Sequence, residues 1–357
     1  MQQNPIDAEP LSQHTTFGVG GPAAHWIEAR TTTELVDAVQ EADGAGEPLF
    51  VLSGGSNVLV GDDGFPGVVV HVANDSLHID QTDDHLVSIW ADAGCPMDAL
   101  VAMSVEHGWS GLEALSGIPG LVGATPIQNI GAYGAEIASC VRSVTVWDRL
   151  ATSPNDKTLV VDGQSCEFGY RDSMFKRSRA NGQATGRYVI QSVCLQLPRS
   201  PLSAPIAYAE LAKLLGIELG ARAPLADVRT AVLQLRASKG MVVDDADPDS
   251  HSAGSFFTNP LLTAEEAARL PAGAPLYQQP DGRAKTSAAW LIEHAGFPKG
   301  FGDGPARLSS KHTLALTNQG GATAADIMAL ARTIQAGVKY KFGVQLVPEP
   351  ILVGVDY

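Results

Sequence analysis

A glycine-dense run, GIPGLVGATPIQNIGAYG at 117–134, constrains this chain more than any other feature. Residues without a Cβ let the backbone take positive φ and approach a ligand closely. Several backbone N–H groups can then point at one anion. The run therefore predicts a backbone cradle for the phosphates of a large cofactor. Its glycines are Gly117, Gly120, Gly123, Gly131 and Gly134.

A second loop of the same kind lies earlier in the chain. The apolar segment PLFVL at 48–52 predicts a short buried strand, and SGGSN follows it at once. Small hydroxyl and amide side chains in a glycine turn at a strand end are suited to contact phosphate. A lone Gly-Gly pair is more often only a tight turn, but two such loops in one chain favour a cofactor site. The residues of this loop are Ser53, Gly54, Gly55, Ser56 and Asn57.

The segment GVGGPA at 18–23 fits the dinucleotide fingerprint G-x-G-x-x-A on paper. That fingerprint requires a strand before it and a helix after it. Here polar HTT precedes the segment and Pro22 interrupts it. We therefore do not expect a Rossmann fold.

Composition excludes several classes of protein. The 357 residues carry a formal charge of −15, which argues against nucleic-acid binding because that binding needs lysines and arginines on the phosphates. No apolar run approaches the roughly 18 residues that span a bilayer, and MQQNPIDAEPLSQ lacks the pattern of a signal peptide. We expect a cytoplasmic protein of two or three domains without a membrane partner. The four cysteines form no C-x-x-C pair, so we expect free thiols and no metal site.

An anionic cofactor requires local positive charge despite the acidic total. The segment YRDSMFKRSR at 170–179 supplies it, and Arg171 is its most informative residue. For Lys176 and Arg177 a solvated basic loop is the plain alternative.

Hydrophobic periodicity predicts helices and strands without strict alternation, so we expect an α+β fold rather than a doubly wound one. Thr31 and Glu34 fit a capping box at the first helix. The proline-bearing stretch at 198–205 is the best candidate for a linker. The predicted helices span 31–43, 96–107, 225–238, 263–270, 286–295 and 323–338, and the last carries Ile327, Leu330, Ile334 and Val338 as an apolar stripe. The predicted strands span 48–52, 67–72, 143–148, 188–197, 312–317 and 340–347, and in the last of these Tyr340, Phe342, Val344 and Leu346 alternate with polar or small residues.

Five motifs in order, SGGSN, IPGLVGATPIQNIGAYG, GYRDSMFK, AGSFFTNP and VPEP, closely resemble the UDP-N-acetylenolpyruvoylglucosamine reductases, flavoenzymes of bacterial peptidoglycan precursor synthesis. The resemblance runs from about His14 to the C-terminus. It implies a two-lobed FAD-binding domain of the vanillyl-alcohol-oxidase/PCMH type plus a C-terminal α+β substrate domain. The implied limits are lobes at 1–70 and 71–200, a substrate domain at 206–335, and a C-terminal strand at 336–357 that packs back on the FAD-binding part.

The resemblance also implies the reaction. Enzyme-bound FAD would be reduced by NADPH and would in turn reduce UDP-N-acetylglucosamine enolpyruvate to UDP-N-acetylmuramate, in a cytoplasmic monomer. FAD would be bound by the SGGSN loop and by the run at Gly117, Gly120, Gly123, Ala124, Pro126, Gln128, Asn129, Gly131 and Ala132.

Three residues match the family's catalytic positions. Hydride addition to the vinyl carbon leaves carbanionic character beside the carboxylate, which Arg171 would stabilise by pairing with that carboxylate. Ser255 would donate the proton to carbon, and because serine is a poor acid its neighbours must compensate. Glu349, held between Pro348 and Pro350, would assist enol stabilisation or protonation.

Four further residues match substrate-binding positions: Tyr170, Tyr208, Lys239 and Asn259. Tyr208 corresponds to the tyrosine that closes over the nucleotide in the larger family type. Lys239 ends a predicted helix and could equally complement the helix dipole. One departure is the acidic segment MVVDDADPDSH at 241–251, which we interpret as a solvated loop rather than a metal site.

Two other function classes stay open. A flavin oxidase of the same fold, acting on a sugar or alcohol, often carries a histidine in its first glycine loop, where this chain has Ser56. A non-enzymatic nucleotide-binding module would have no reason to keep Arg171, Ser255 and Glu349 in matching motifs.

Overall fold

The structure is a computed structural model and describes residues 6–81, 83–180, 183–279 and 281–355. The chain divides into two compact units. Of the described residues, the first unit contains 6–9, Ala23–Gly55 and Phe65–Ser238, and the second contains Pro10–Pro22, Ser56–Gly64 and 239–355. The candidate linker at 198–205 lies inside the first unit, so it does not mark the boundary between these units.

The described residues form the following elements. The strands are β1 Ile6–Pro10, β2 Pro22–Ala29, β3 Leu49–Leu52, β4 Val58–Val60, β5 Phe65–Val72, β6 Leu77–Asp80, β7 Leu86–Asp92, β8 Gly131–Ala132, β9 Ala135–Glu136, β10 Val141–Asp148, β11 Thr158–Asp162, β12 Tyr188–Pro198, β13 Leu261–Leu262, β14 Leu276–Gln278, β15 Ala284–Thr286, β16 Ala306–Leu308, β17 Leu316–Asn318 and β18 Ile351–Val353. The helices are α1 Thr32–Ala45, α2 Met97–Glu106, α3 Met174–Arg177, α4 Ala209–Leu215, α5 Leu225–Ser238, α6 Ala264–Ala268, α7 Ala288–His294 and α8 Ala324–Phe342.

The first unit is built on two sheets that share one hydrophobic core. The smaller sheet has the order β1-β2-β5-β3, and β5 pairs in parallel with both β2 and β3. The larger sheet, β11-β10-β12-β7-β6, is antiparallel throughout. Helix α1 buries Leu35 and Val39 in this core, and its capping box at Thr31 and Glu34 confirms the prediction. The last residue of β3, Leu52, is likewise buried.

The second unit is organised around its long C-terminal helix. The predicted apolar stripe of α8 is confirmed, since Ile327, Leu330, Ile334 and Val338 are all buried. They pack in one core with Phe256 and with residues of α7. In the same unit β18 pairs in parallel with β4, so residues close to the C-terminus lie beside the loop that begins at Ser56.

The α+β class is confirmed, but two strand predictions are wrong. The segment 340–347 is not a strand, because α8 continues to Phe342 and ends at Gly343, which takes φ 70° and donates its N–H to Lys339. Tyr340 is 95% exposed, so the apolar alternation seen in the sequence does not mark a buried face. The strand predicted at 312–317 is confined to Leu316–Asn318, and the residues before it form a turn.

The segment at 18–23 leads into β2 and not into a helix, in agreement with the rejection of a Rossmann fold. Within the described part of the chain, no helix is long and apolar enough to cross a membrane.

Candidate functional site

The loop that follows β3 lies against the glycine run in the first unit. A Cβ placed on Gly54 would lie 2.8 Å from the Cα of Gly120, well inside the ordinary separation of non-bonded carbon atoms. The structure thus brings together two loops that the sequence identified separately. Residues 53–55 of the loop belong to the first unit, and 56–57 belong to the second.

Backbone hydrogen bonds fix the first part of the glycine run. Gly123 donates its N–H to the carbonyl of Ala93 at 2.9 Å, and Gly120 accepts from the N–H of Met97 at 3.0 Å. Gly117 and Gly120 take φ values of 72° and 107°, which strain any residue with a Cβ. Conformational freedom is therefore needed at these two positions, as expected.

Gly123 and Gly131 are needed for a different reason from the one expected. A Cβ on Gly123 would lie 2.5 Å from the Cβ of Ala93, and a Cβ on Gly131 would lie 2.8 Å from the carbonyl oxygen of Ala135. The missing side chains make room for neighbouring protein atoms rather than for a phosphate. A larger residue at either position would displace the run and would act on a cofactor only through that displacement.

Asn129 connects the glycine run to the segment that carries Arg171. It is 1% exposed, with φ 49°. Its amide donates to the Glu136 carboxylate at 2.8 Å and to the Gly169 carbonyl at 3.0 Å, and its side-chain oxygen accepts from the Ala138 N–H at 3.1 Å. The side chain thus fixes the turn. Ala124, Pro126, Gln128 and Ala132 lie along the same run.

Arg171 contacts the far end of the same run. Its guanidinium donates to the carbonyl of Gly131 at 2.7 Å and lies over the ring of Tyr170, 5.4 Å from the centroid. The backbone of Arg171 takes φ 54°, an unusual conformation for a non-glycine residue that often marks a functional position. Lys176 donates to the Arg171 carbonyl at 2.8 Å and holds this conformation.

The basic segment around Arg171 carries less free charge than the sequence indicated. Arg177 forms ion pairs with Asp172 and Glu167. Its charge is therefore balanced by neighbouring carboxylates, in line with the plain alternative of a surface loop.

The fit of this cradle to an anionic cofactor can be tested at Ser53. Its hydroxyl oxygen is buried, and it has no hydrogen-bond partner among the residues that the structure describes. A buried hydroxyl without a partner costs about 1–3 kcal/mol. A phosphate oxygen at the close approach of the two loops would provide that partner, so the residues present fit such a cofactor.

Tyr208 lies beside the other end of the run. Its ring meets that of Tyr133 edge to face, with centroids 5.4 Å apart, and it remains 39% exposed. It directly precedes α4, and the adjacent Ala207 would lie 3.0 Å from a Cβ on Gly134. The structure therefore brings the predicted substrate tyrosine to the same loop as the predicted cofactor residues.

In the second unit, Ser255 and Glu349 lie on either side of one buried residue. Phe256 donates its N–H to Leu314 at 2.7 Å and accepts at its carbonyl from the N–H of Glu349 at 2.8 Å. Gly254, with φ 70°, turns the chain directly before Ser255. The structure thus places Ser255 and Glu349, which are far apart in the sequence, next to the same residue, Phe256.

Sequence reasoning missed His312, whose Nε2 lies 3.5 Å from the Ser255 hydroxyl oxygen. The residue lay within a predicted strand, where a histidine is one side chain among many. No spacing relates it to the AGSFFTNP motif, so only the folded chain reveals the contact.

Three further predicted residues lie in the second unit. Asn57 donates to the Glu349 carbonyl at 3.5 Å, while Ile351 donates to the Asn57 carbonyl at 2.9 Å. Asn259 accepts the N–H of Ala288 at 2.9 Å and so contributes to the start of α7. Lys239 is half-buried and directly follows α5.

The acidic segment is more ordered than a solvated loop. Asp247 forms an ion pair with Lys311 at 2.6 Å. Asp249 is 7% exposed and accepts from the N–H and the hydroxyl of Ser310. Burial alone raises the pKa of Asp249, but the bonds from Ser310 and Ser309 and the charge of Lys311 lower it below its ordinary value. Within the described ranges, no cluster of three or more potential ligands could hold a metal ion.

All four cysteines are free thiols and are buried. Burial raises the pKa of Cys95 and of Cys140 to about 11 and that of Cys166 to about 12. These thiols are protonated at neutral pH and are poor nucleophiles.

Two family models match the chain. Residues 247–353 match the C-terminal domain of UDP-N-acetylenolpyruvoylglucosamine reductase, and residues 23–152 match an FAD binding domain.

Similar proteins carry the same name. UDP-N-acetylenolpyruvoylglucosamine reductase of Thermobifida fusca is 53% identical over 97% of both chains. That of Streptomyces coelicolor is 49% identical, covering 97% of this chain and 89% of its own length. The crystal structure of UDP-N-acetylenolpyruvylglucosamine reductase from Thermus caldophilus superposes with a TM-score of 0.66 at 26% identity, covering 98% of this chain and 100% of that one.

Proposed function

Because this chain belongs to the UDP-N-acetylenolpyruvoylglucosamine reductase family, we propose that it reduces UDP-N-acetylglucosamine enolpyruvate to UDP-N-acetylmuramate with FAD and NADPH. The observation that carries the proposal is the set of contacts around the three residues that match the family's catalytic positions. Arg171 contacts the glycine run, and Ser255 lies beside His312 and next to the residue that holds Glu349.

FAD would be held by the loop at 53–57 and by the run at 117–132. The Ser53 hydroxyl and the close approach of Gly54 to Gly120 support this assignment. The chemistry that FAD supplies when bound is hydride transfer. The protein itself must bind the substrate carboxylate and donate a proton to the adjacent carbon.

Arg171 is suited to the carboxylate. Charge develops beside that carboxylate during the reduction, and a planar guanidinium can pair with two oxygens at once. Its strained backbone and its bond to Gly131 hold the guanidinium in one orientation, so little reorganisation is needed when the charge appears.

Ser255 is the proposed proton donor, and Glu349 assists at the same carbon. The turn at Gly254 and the hydrogen bonds on both sides of Phe256 restrict the position of Ser255. Tyr170, Tyr208, Lys239 and Asn259 are the proposed substrate contacts. The domain limits stated above remain a prediction, as do a monomeric state and a cytoplasmic location.

Steady-state turnover tests this proposal. Purified protein that releases FAD on acid precipitation should oxidise NADPH rapidly only when UDP-N-acetylglucosamine enolpyruvate is present, with UDP-N-acetylmuramate as the product detected by mass spectrometry. The oxidase alternative makes the opposite prediction, because sugars or alcohols would then drive oxygen consumption without NADPH. Protein that cannot be reconstituted with FAD would exclude both functions.

A further inference from the structure

His312 and Ser255 form a side-chain pair that none of the family motifs describes. The Nε2–Oγ distance of 3.5 Å is at the long end for a hydrogen bond. Catalytic hydrogen bonds are often long before substrate binds and shorten in the complex. Ser255 and His312 are therefore close enough to form a hydrogen bond during catalysis.

The backbone of His312 is fixed by a buried serine. The hydroxyl of Ser309, which is 0% exposed, accepts the N–H groups of Lys311 at 3.0 Å and of His312 at 3.1 Å. The next residue, Thr313, is 2% exposed and donates its hydroxyl to Glu293. The backbone that carries the imidazole is therefore held in place by hydrogen bonds, and the contact with Ser255 follows from the fold.

Ser255 is anchored just as firmly. Phe256 and Phe257 on its C-terminal side are 0% and 1% exposed, and Phe256 forms backbone hydrogen bonds in both directions. On the other side, Gly254 takes φ 70° and donates its N–H to the Ser252 hydroxyl at 3.2 Å. Because the backbones of both residues are held in place, the contact between the Ser255 hydroxyl and His312 Nε2 is a fixed feature of the fold.

The chemistry decides the direction of the hydrogen bond. A serine that gives its proton to carbon cannot also direct that proton at the imidazole. The Nε2-protonated imidazole must therefore donate to Oγ. A donor at Oγ stabilises the negative charge that appears when the hydroxyl proton leaves, and so lowers the pKa of the hydroxyl.

We propose that His312 is a positioning residue that donates its Nε2–H to Ser255 and makes this hydroxyl a competent acid. The inference rests on the proposed function. In the step, the Ser255 O–H bond breaks while a C–H bond forms with the electron pair of the carbanionic carbon. The resulting serine alkoxide keeps the hydrogen bond from His312 and then takes a proton from water.

Anaerobic stopped-flow measurements on the FAD-loaded full chain test the inference. His312→Leu should leave flavin reduction by NADPH near the wild-type rate. It should slow the reoxidation of reduced flavin by saturating UDP-N-acetylglucosamine enolpyruvate at least ~10-fold, the loss expected for one hydrogen bond to a developing charge. His312→Gln keeps an N–H donor and should remain within ~3-fold of wild type. His294→Leu, at an exposed histidine of the same unit, is the matched control and should change neither rate.

A positioning role also predicts which constant changes. The dissociation constant of the substrate, read from the perturbation of the oxidised flavin spectrum, should stay within ~2-fold in His312→Leu while the limiting rate falls. In a Ser255→Ala background, His312→Leu should slow reoxidation by no more than ~2-fold further, because the histidine acts through the serine.

Several results would overturn the inference. They are a wild-type reoxidation rate in His312→Leu, equal losses in the Leu and Gln variants, a weakened dissociation constant with an unchanged limiting rate, or additive losses with Ser255→Ala. If His312→Leu does not fold, His312→Ala and His312→Gln replace it as the donor-free and donor-keeping pair. Failure of the proposed function looks different, since wild-type reduced flavin would then not be reoxidised by the substrate at all.

Discussion

Replacing Gly54 with alanine tests the close approach of the two cofactor loops. The new Cβ would lie 2.8 Å from the Cα of Gly120 and 3.4 Å from its carbonyl carbon. Carbon atoms pack at about 3.5–4.0 Å, so the loops must separate by roughly 0.7 Å or more. Both partners are backbone and cannot rotate away. Overpacking of this kind costs about 1–3 kcal/mol, offset by about 0.4–1 kcal/mol from the smaller entropy of the unfolded chain.

The expected net free-energy cost of the substitution is ~1–2 kcal/mol. If this cost arises from displacement of the two cofactor loops, FAD should bind about tenfold more weakly. FAD affinity would be measured by quenching of flavin fluorescence on titration with apoprotein, and stability by denaturant unfolding without FAD. Gly44→Ala is the matched control, because a Cβ there meets no atom within 4 Å and the residue lies within α1. It should leave FAD affinity unchanged. Wild-type FAD affinity in Gly54→Ala would refute the assignment of these loops to the cofactor.

Three further predictions concern single side chains. Ser53→Ala should leave the apoprotein as stable as wild type or slightly more stable, yet weaken FAD binding ~5–10-fold, since its buried hydroxyl gains a partner only from the cofactor; loss of apoprotein stability would contradict this. Arg171→Lys should lower the limiting rate of flavin reoxidation far more than it lowers substrate affinity, because an ammonium group cannot form the two parallel hydrogen bonds of a planar guanidinium. An unchanged limiting rate with weakened substrate binding would show that Arg171 only binds the substrate. The hydrogen bonds from Arg229, opposed in part by burial, lower the pKa of Asp98. The stability that the ionised Asp98 carboxylate contributes is therefore present at neutral pH and is lost as the pH falls below ~4. The difference in unfolding free energy between wild type and Asp98→Asn should therefore shrink on acidification, and a pH-independent difference would argue against the ion pair.

Local signals in the sequence predicted the helices well. The capping box at Thr31 and the apolar stripe of α8 depend only on residues three or four positions apart, and both are confirmed. The strand predicted at 340–347 failed because four alternating apolar residues are too few to outweigh a helix that continues to a left-handed Gly343. Alternation also cannot reveal that Tyr340 is exposed.

The candidate site residues that could be named from the sequence are those that lie in contiguous motifs. The two glycine loops and the positions of Arg171, Ser255 and Glu349 could all be named from the sequence. The reason that position 123 requires glycine could not be predicted from the sequence. The atom that excludes a side chain there belongs to Ala93, which lies on a different segment. His312 was missed for the same physical reason, since its contact with Ser255 exists only after folding.

One anaerobic titration tests the central claim most directly. NADPH added in stoichiometric amount to the FAD-loaded protein should bleach the visible flavin band. UDP-N-acetylglucosamine enolpyruvate added next, still without oxygen, should restore the band and yield UDP-N-acetylmuramate in equal amount. A flavin that stays bleached with the enolpyruvyl substrate and recovers only when air is admitted would contradict the account.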